Sequence, residues 1–114
     1  MTILQQLLEA WKAEDYQATV DCFTPSAEAR LVDYAPALIG QEPIHLYGNK
    51  TIEMYFRNVF YPMNRHFWIA EARELSENEA NFFACYHGRF VFARLSVEEL
   101  DENGRIRKAV IRPE

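Results

Sequence analysis

Asp33 is the residue best placed to do chemistry. It closes the run Ala29-Arg30-Leu31-Val32-Asp33, whose alternation puts Ala29, Leu31 and Asp33 on one face of a strand. A carboxylate carried on such a face into a hollow loses solvation, which raises its pKa and suits it to act as a general base near neutral pH. The alternative is local: an aspartate at a strand end also caps a turn, here Tyr34-Ala35-Pro36. Arg94 is the second candidate, two residues from both Phe92 and Ser96 and so on their face. A guanidinium in an aromatic cavity requires an anionic partner, which Asp33, Glu71 or a ligand carboxylate would supply. The alternative is a structural ion pair or a place at the cavity rim.

The remaining reactive side chains form weaker patterns. His45, His66 and His87 show neither His-x-x-x-His nor His-x-His spacing, so no metal site is expected. His66, beside Arg65 and before Phe67-Trp68, is the histidine best placed to edge a pocket. Ser26, Ser76 and Ser96 lack a glycine-flanked nucleophile elbow. Cys85 and His87 share a strand face but have no evident orienting third group. No glycine-rich loop suggests a nucleotide, and no cofactor is expected. The polar contacts of a pocket would then fall to Arg94, His66 and Ser96, with Tyr16, Trp68, Tyr86 and Phe92 as wall.

Composition narrows the partners. The chain has 114 residues, 49% hydrophobic and 14% aromatic, enough for one domain with a real core. Its net charge is -5 and its twelve Lys and Arg are scattered, which disfavours both nucleic acid and anionic membrane surfaces. Cys22 and Cys85 have no C-x-x-C spacing and read as reduced, buried thiols. The absence of a signal pattern or long apolar stretch leads to an expected cytoplasmic location. The Asn49-Lys50-Thr51 sequon carries little weight in that setting.

The positioning elements follow from periodicity. Thr2 and Gln5 form a capping-box pattern ahead of Ile3, Leu4, Leu7, Leu8 and Trp11, an amphipathic helix. Asp15 can cap a second helix with Tyr16, Val20 and Phe23 on one side, which Thr24-Pro25-Ser26 stops. A first strand is expected over Ala27–Tyr34, then a loop to Gly48, with a short strand near Leu38. Asn49 opens a third helix striped by Ile52, Tyr55, Phe56, Val59 and Phe60, with Glu53 and Arg57 outside and Pro62 at its end. Strands are expected at about Phe67–Leu75, Asn81–His87 and Phe90–Leu100, with a last one running to Arg112.

Glu102-Asn103-Gly104-Arg105 carries the signature of a two-residue type I′ hairpin. That turn sets Glu99 opposite Lys108 and Val97 opposite Val110, so Arg94, Ser96 and Glu98 share a face with Ala109 and Ile111. The register at His87-Gly88-Arg89 stays open, because a slip of one residue exchanges the two faces. Phe90 and Phe92 alternate with Val91, Ala93, Leu95 and Val97, and Phe82 stands beside Phe83. Two apolar faces with helices enough for one suggest a homodimer through the outer sheet face.

Helices first and a meandering sheet after make an α+β domain, a single one over residues 1–114. In this order the chain resembles the nuclear transport factor 2-like superfamily, in its SnoaL-like branch. The residues that carry the resemblance are Leu7 to Phe23, Ala29-Arg30-Leu31-Val32-Asp33, Gly48-Asn49-Lys50-Thr51-Ile52 and Gly104-Arg105-Ile106. It implies a cone-shaped curved antiparallel sheet, three helices from the N-terminal half covering its concave face, and pairing through the sheet. The superfamily includes ketosteroid-isomerase-like enzymes, dehydratases, epoxide hydrolases and proteins without known activity. Asp33 falls near the isomerases' catalytic base. Leu7 stands where they keep an oxyanion-stabilising tyrosine and Ser96 where they keep a protonated acid, which argues against steroid isomerisation. The Arg-x-Asp pattern of the epoxide hydrolases is also absent.

The expected function is binding of a small, partly apolar molecule, with proton-transfer chemistry (isomerisation, dehydration or hydrolysis) if Asp33 serves as base. The competing expectation is a dimeric interaction module whose cavity is filled by its own side chains.

Overall fold

The chain starts with the reciprocal cap expected of it. Thr2 Oγ1 accepts from the Gln5 amide at 3.1 Å, and Gln5 Oε1 accepts from the Thr2 amide at 2.9 Å. Helix α1, Ile3–Lys12, buries Leu4, Leu7, Leu8, Ala10 and Trp11 along one side. In this computed structural model residues 1–32, 44–60, 72–86 and 89–114 are described, the side chains of 59–60, 84–86 and 89–91 excepted. Asp15 caps α2, Tyr16–Asp21, by accepting from the Ala18 amide at 3.0 Å. The face α2 turns inward carries Thr19 and Cys22, and Tyr16 is left 39% exposed. Phe23 belongs to the next element.

That element, β1, runs over Phe23–Leu31, so it begins earlier than expected. Pro25 was read as a stop, yet the register with the neighbouring strand breaks between Phe23 and Glu28, and an irregular stretch there makes no ladder demand on the missing N–H. β2, Ile44–Tyr47, pairs antiparallel with β1. The short strand expected near Leu38 lies outside the described residues. Gly48, at φ 92°, is the N-cap of α3, Asn49–Tyr55, so Asn49 is its first residue rather than its cap. A positive φ at this junction is why glycine is there. The helix continues as a π-helical turn over Phe56–Phe60.

The remaining strands are β3 (Arg73–Glu74), β4 (Glu79–Tyr86), β5 (Arg89–Leu100) and β6 (Ile106–Pro113). Of the strand expected over Phe67–Leu75, only its last part lies among the described residues. The six strands form one curved, open sheet in the order β2-β1-β6-β5-β4-β3. The sheet was expected to be antiparallel; the β1–β6 pairing is parallel, which makes it mixed.

The last hairpin corrects the register. A type I′ turn needs positive φ at both central residues, but Gly104 has φ 78° and Asn103 is not among the positive-φ residues. The loop instead spans Asp101 to Gly104, with the Gly104 amide on Asp101 O at 3.1 Å and the Asp101 amide on Arg105 O at 2.8 Å. Asp101 Oδ1 also accepts from the amides of Asn103 and Arg105, both at 2.9 Å. This is a turn followed by a glycine bulge. Glu99 still meets Lys108, but Val97 now meets Ala109, Leu95 meets Ile111, Ser96 meets Val110 and Arg94 meets Arg112.

That one-residue difference decides which β6 residues share a face with Arg94 and Ser96: Val110 and Arg112 rather than Ala109 and Ile111. Ala93, Leu95 and Val97 of β5, Ala109 and Ile111 of β6, Ala29 and Leu31 of β1 and Phe82 of β4 join α1 and α3 residues in one buried cluster. Trp11, Phe23, Phe56 and Phe82 are its largest fully buried members. The opposite face carries Arg94, Ser96 and Glu98, so it is not the apolar surface that the alternation suggested. Among the described residues its aromatic part is Phe83 against Phe92, ring centroids 5.3 Å apart, with Phe92 58% exposed.

Candidate functional site

The helix-covered side of the sheet is closed by aromatic packing. Trp11 from α1 packs on Phe56 at the end of α3, centroids 4.8 Å apart, and Tyr55 meets Phe56 edge-on at 6.0 Å. At the end of β1, Leu31 is fully buried on this side, and the Val32 amide donates to Ile111 O at 2.8 Å. Asp33 follows directly in sequence and lies outside the described residues, as do His66 and Trp68. Tyr86 pairs with Arg89 in the backbone ladder, and its side chain lies outside the described set.

The other four expected pocket residues are elsewhere. Arg94, Ser96 and Phe92 point away from the core, since the alternate residues Ala93, Leu95 and Val97 are the ones buried in it, and so they do not face the hollow as expected. Arg94 is bound by Glu114, with Nε 2.7 Å from Oε1, and stands 3.8 Å from Glu79. Its hydrogen bond to Glu114 strengthens the hold on its proton. Ser96 Oγ donates to Glu79 Oε2 at 3.1 Å. With Arg112, Glu98 and Asn78 these residues line an open outer groove of about 770 Å³. Its cations are already matched by carboxylates: Glu98 stands 3.6 Å from Arg112. The structural-pair alternative for Arg94 is the one observed.

Tyr16 lies on the helical side but at the surface, where the Arg57 guanidinium carbon is 5.2 Å from its ring centre. Arg57 in turn reaches Glu53, Nε to Oε1 2.9 Å. Glu53 was read as an outward residue, yet it is 6% exposed. The helical stripe alone placed it outside because it is charged; the packing of α2 against α3 covers it. Cys22, the C-cap of α2, is 4% exposed, and burial together with the charge of Asp21 pushes its thiol up to about 11. Among the described residues no three His, Cys, Asp or Glu converge as metal ligands, and no helix is long and apolar enough to cross a membrane.

No family model and no curated protein matches the sequence. Solved structures do. The chain is similar to an NTF-2 like protein of unknown function from Burkholderia xenovorans LB400, with TM-score 0.64, 18% identity, and 96% of this chain and 77% of the other covered. It is also similar to a SnoaL-like protein of unknown function from Burkholderia thailandensis E264, with TM-score 0.58, 17% identity and coverage of 96% and 89%. A third is a Mycobacterium tuberculosis protein in complex with estradiol-17β-hemisuccinate, with TM-score 0.58, 10% identity and coverage of 96% and 88%. Identities this low speak for architecture alone. With its three N-terminal-half helices over a curved, open, six-stranded sheet, the chain has the nuclear transport factor 2-like fold.

Proposed function

We propose that the chain binds a small, partly apolar molecule in the hollow between its helices and its sheet, with Asp33 as the polar group that meets it. The observation that carries this reading is the full burial of Leu31, the last residue of β1, on the helix-covered side, two residues before Asp33 in the sequence. The alternation read from the sequence, with Leu31 and Asp33 two residues apart, would set the carboxylate on the side of Leu31. Desolvation there would make Asp33 a base for isomerisation, dehydration or hydrolysis. A structural neighbour holding an estradiol hemisuccinate supports a ligand of that size and character. The charged outer groove is a poorer receptacle, since its arginines already have carboxylate partners.

The test is a thermal-shift panel of small carboxylic acids and ketones. At least one class should raise the melting temperature in a saturable way, and Asp33→Asn should weaken that shift while leaving the unliganded protein equally or more stable. No shift across the panel, with Asp33→Asn melting unchanged, would favour the second reading, a dimeric interaction module with a filled cavity. That reading draws support from the close Trp11–Phe56 packing. Under either reading we infer a cytoplasmic homodimer through the outer sheet face, centred on the exposed Phe92. Sedimentation at tens of micromolar protein should give twice the chain mass, and Phe92→Lys should give a folded monomer; a monomeric parent protein contradicts the inference.

A further inference from the structure

β4 is shorter than the strand it accompanies. β5 runs on to Leu100, but its ladder with β4 ends where Glu79 meets Ser96, and beyond it the Val97 amide donates to Asn78 O at 2.8 Å. Among the described residues no strand pairs with residues 98–100 on that side, so their edge carries backbone groups without a ladder partner. Beside this edge lies a groove of about 690 Å³, walled by the start of α1 and the turn between β3 and β4. Its apolar part is Met1, Ile3 and Leu100, with Met1 84% and Leu100 48% exposed. Its charged part is Glu77, Glu98 and Glu99, and no Lys, Arg or His is among its lining residues. Glu98 stands 3.6 Å from Arg112, whereas Glu77 and Glu99 have no ion pair among the described residues.

The bulge in β5 sorts these side chains. Ser96 lies opposite Val110 and Glu99 opposite Lys108, so Glu98 is the extra residue and both glutamates fall on the outer face. Leu100 lies opposite Ile106, a core residue, and so belongs with Ile3 on the helix-covered side. We propose that this groove takes an extended segment of a partner protein, with basic and apolar side chains alternating, which adds to β5 where β4 leaves off. Its backbone pairs with the open edge over about three residues, roughly 10 Å. Its Lys or Arg side chains reach Glu98 and Glu99 on one face, and its apolar ones meet Leu100 and Ile3 on the other. Charge selects this occupant: the groove is lined by carboxylates in a chain of net charge -5, which repels an acidic segment. Two copies meeting through this edge would set like charges opposite one another.

The test is fluorescence anisotropy of a dye-labelled, end-blocked Lys-Val-Lys-Val-Lys peptide titrated with the whole chain. Binding should saturate at one peptide per chain and weaken several-fold as salt is raised; Glu-Val-Glu-Val-Glu should not bind. Two further copies of the basic peptide are N-methylated, one at each alternate set of amides. An added strand uses one set only, so one copy should bind roughly tenfold more weakly than the other. Glu77→Lys combined with Glu99→Lys, both at exposed positions, should lose roughly tenfold in affinity with the near-ultraviolet circular dichroism unchanged. Equal binding of the two methylated copies reduces the interaction to charge attraction and overturns the proposal. Affinity indifferent to the double substitution, or no saturable binding at all, does the same. Self-association abolished by that substitution would assign the edge to a second copy and also overturn it.

Discussion

Cys22 illustrates how position sets the chemistry of one residue. Its thiol sits at the end of α2 with burial and Asp21 opposing ionisation, and it is held up at about 11 from an ordinary 9.0. A raised folded-state pKa means that the folded chain keeps the proton when the unfolded chain has lost it. The associated stability is fully present below pH 9 and is lost as pH rises through 11, by roughly 2–3 kcal/mol. In a Cys85→Ser background, urea unfolding between pH 8 and 11 should show that decline, and Cys22→Ala should flatten it. Labelling of Cys22 at pH 8 should be as slow as unfolding. Rapid labelling of the folded protein would place the thiol at the surface.

Among the elements, the β5–β6 hairpin sets the most. Gly104 takes φ 78° with nothing within 4 Å of where a Cβ would stand, so Gly104→Ala meets backbone strain without a clash and should cost about 1 kcal/mol. Asp101→Ala strips the acceptor from two amides and should cost a similar ~1 kcal/mol. Urea denaturation measures both; a neutral Gly104→Ala would contradict the positive φ at that position, and a neutral Asp101→Ala would contradict the bulged loop. This is where the sequence was hardest to read. Asn-Gly is compatible with either loop, and the choice rests on Asp101, whose carboxylate satisfies amides that a tighter turn would leave to water. The helices were legible because their signals are local: Thr2 with Gln5, Asp15 before Ala18, and the α1 stripe. The first strand was legible in type but not in boundary, and β2, Ile44–Tyr47, was read as part of the loop that ends at Gly48. Strand facing was not local at all, so Arg94, Ser96 and Phe92 were assigned to the wrong side by a single step. The burial of Glu53 was invisible for the same reason, since it depends on α2 covering α3.

At the scale of the whole molecule, the fold divides its sheet into two unlike surfaces. The helix-covered surface is hydrophobic and aromatic, joined into one cluster from α1 to β4. The outer surface is laced with ion pairs, Lys108 with Glu28 at 3.7 Å among them, around an exposed aromatic pair. Arg105 ties the two ends of the chain together: its Nε donates to Asp21 O at 3.1 Å and its Nη2 to Phe23 O at 2.6 Å. The last strand is thereby fixed beside the first, where Leu31 leads towards Asp33.

The most direct measurement is a fluorescence titration of the native protein with an anilinonaphthalene sulfonate dye at neutral pH, with near-ultraviolet circular dichroism followed in parallel. One saturable site per chain, with side-chain packing unchanged and binding weakened by Asp33→Asn but not by Arg94→Ala, is the predicted result. Absence of saturable binding to the folded chain, or binding lost with Arg94 and indifferent to Asp33, would contradict the account.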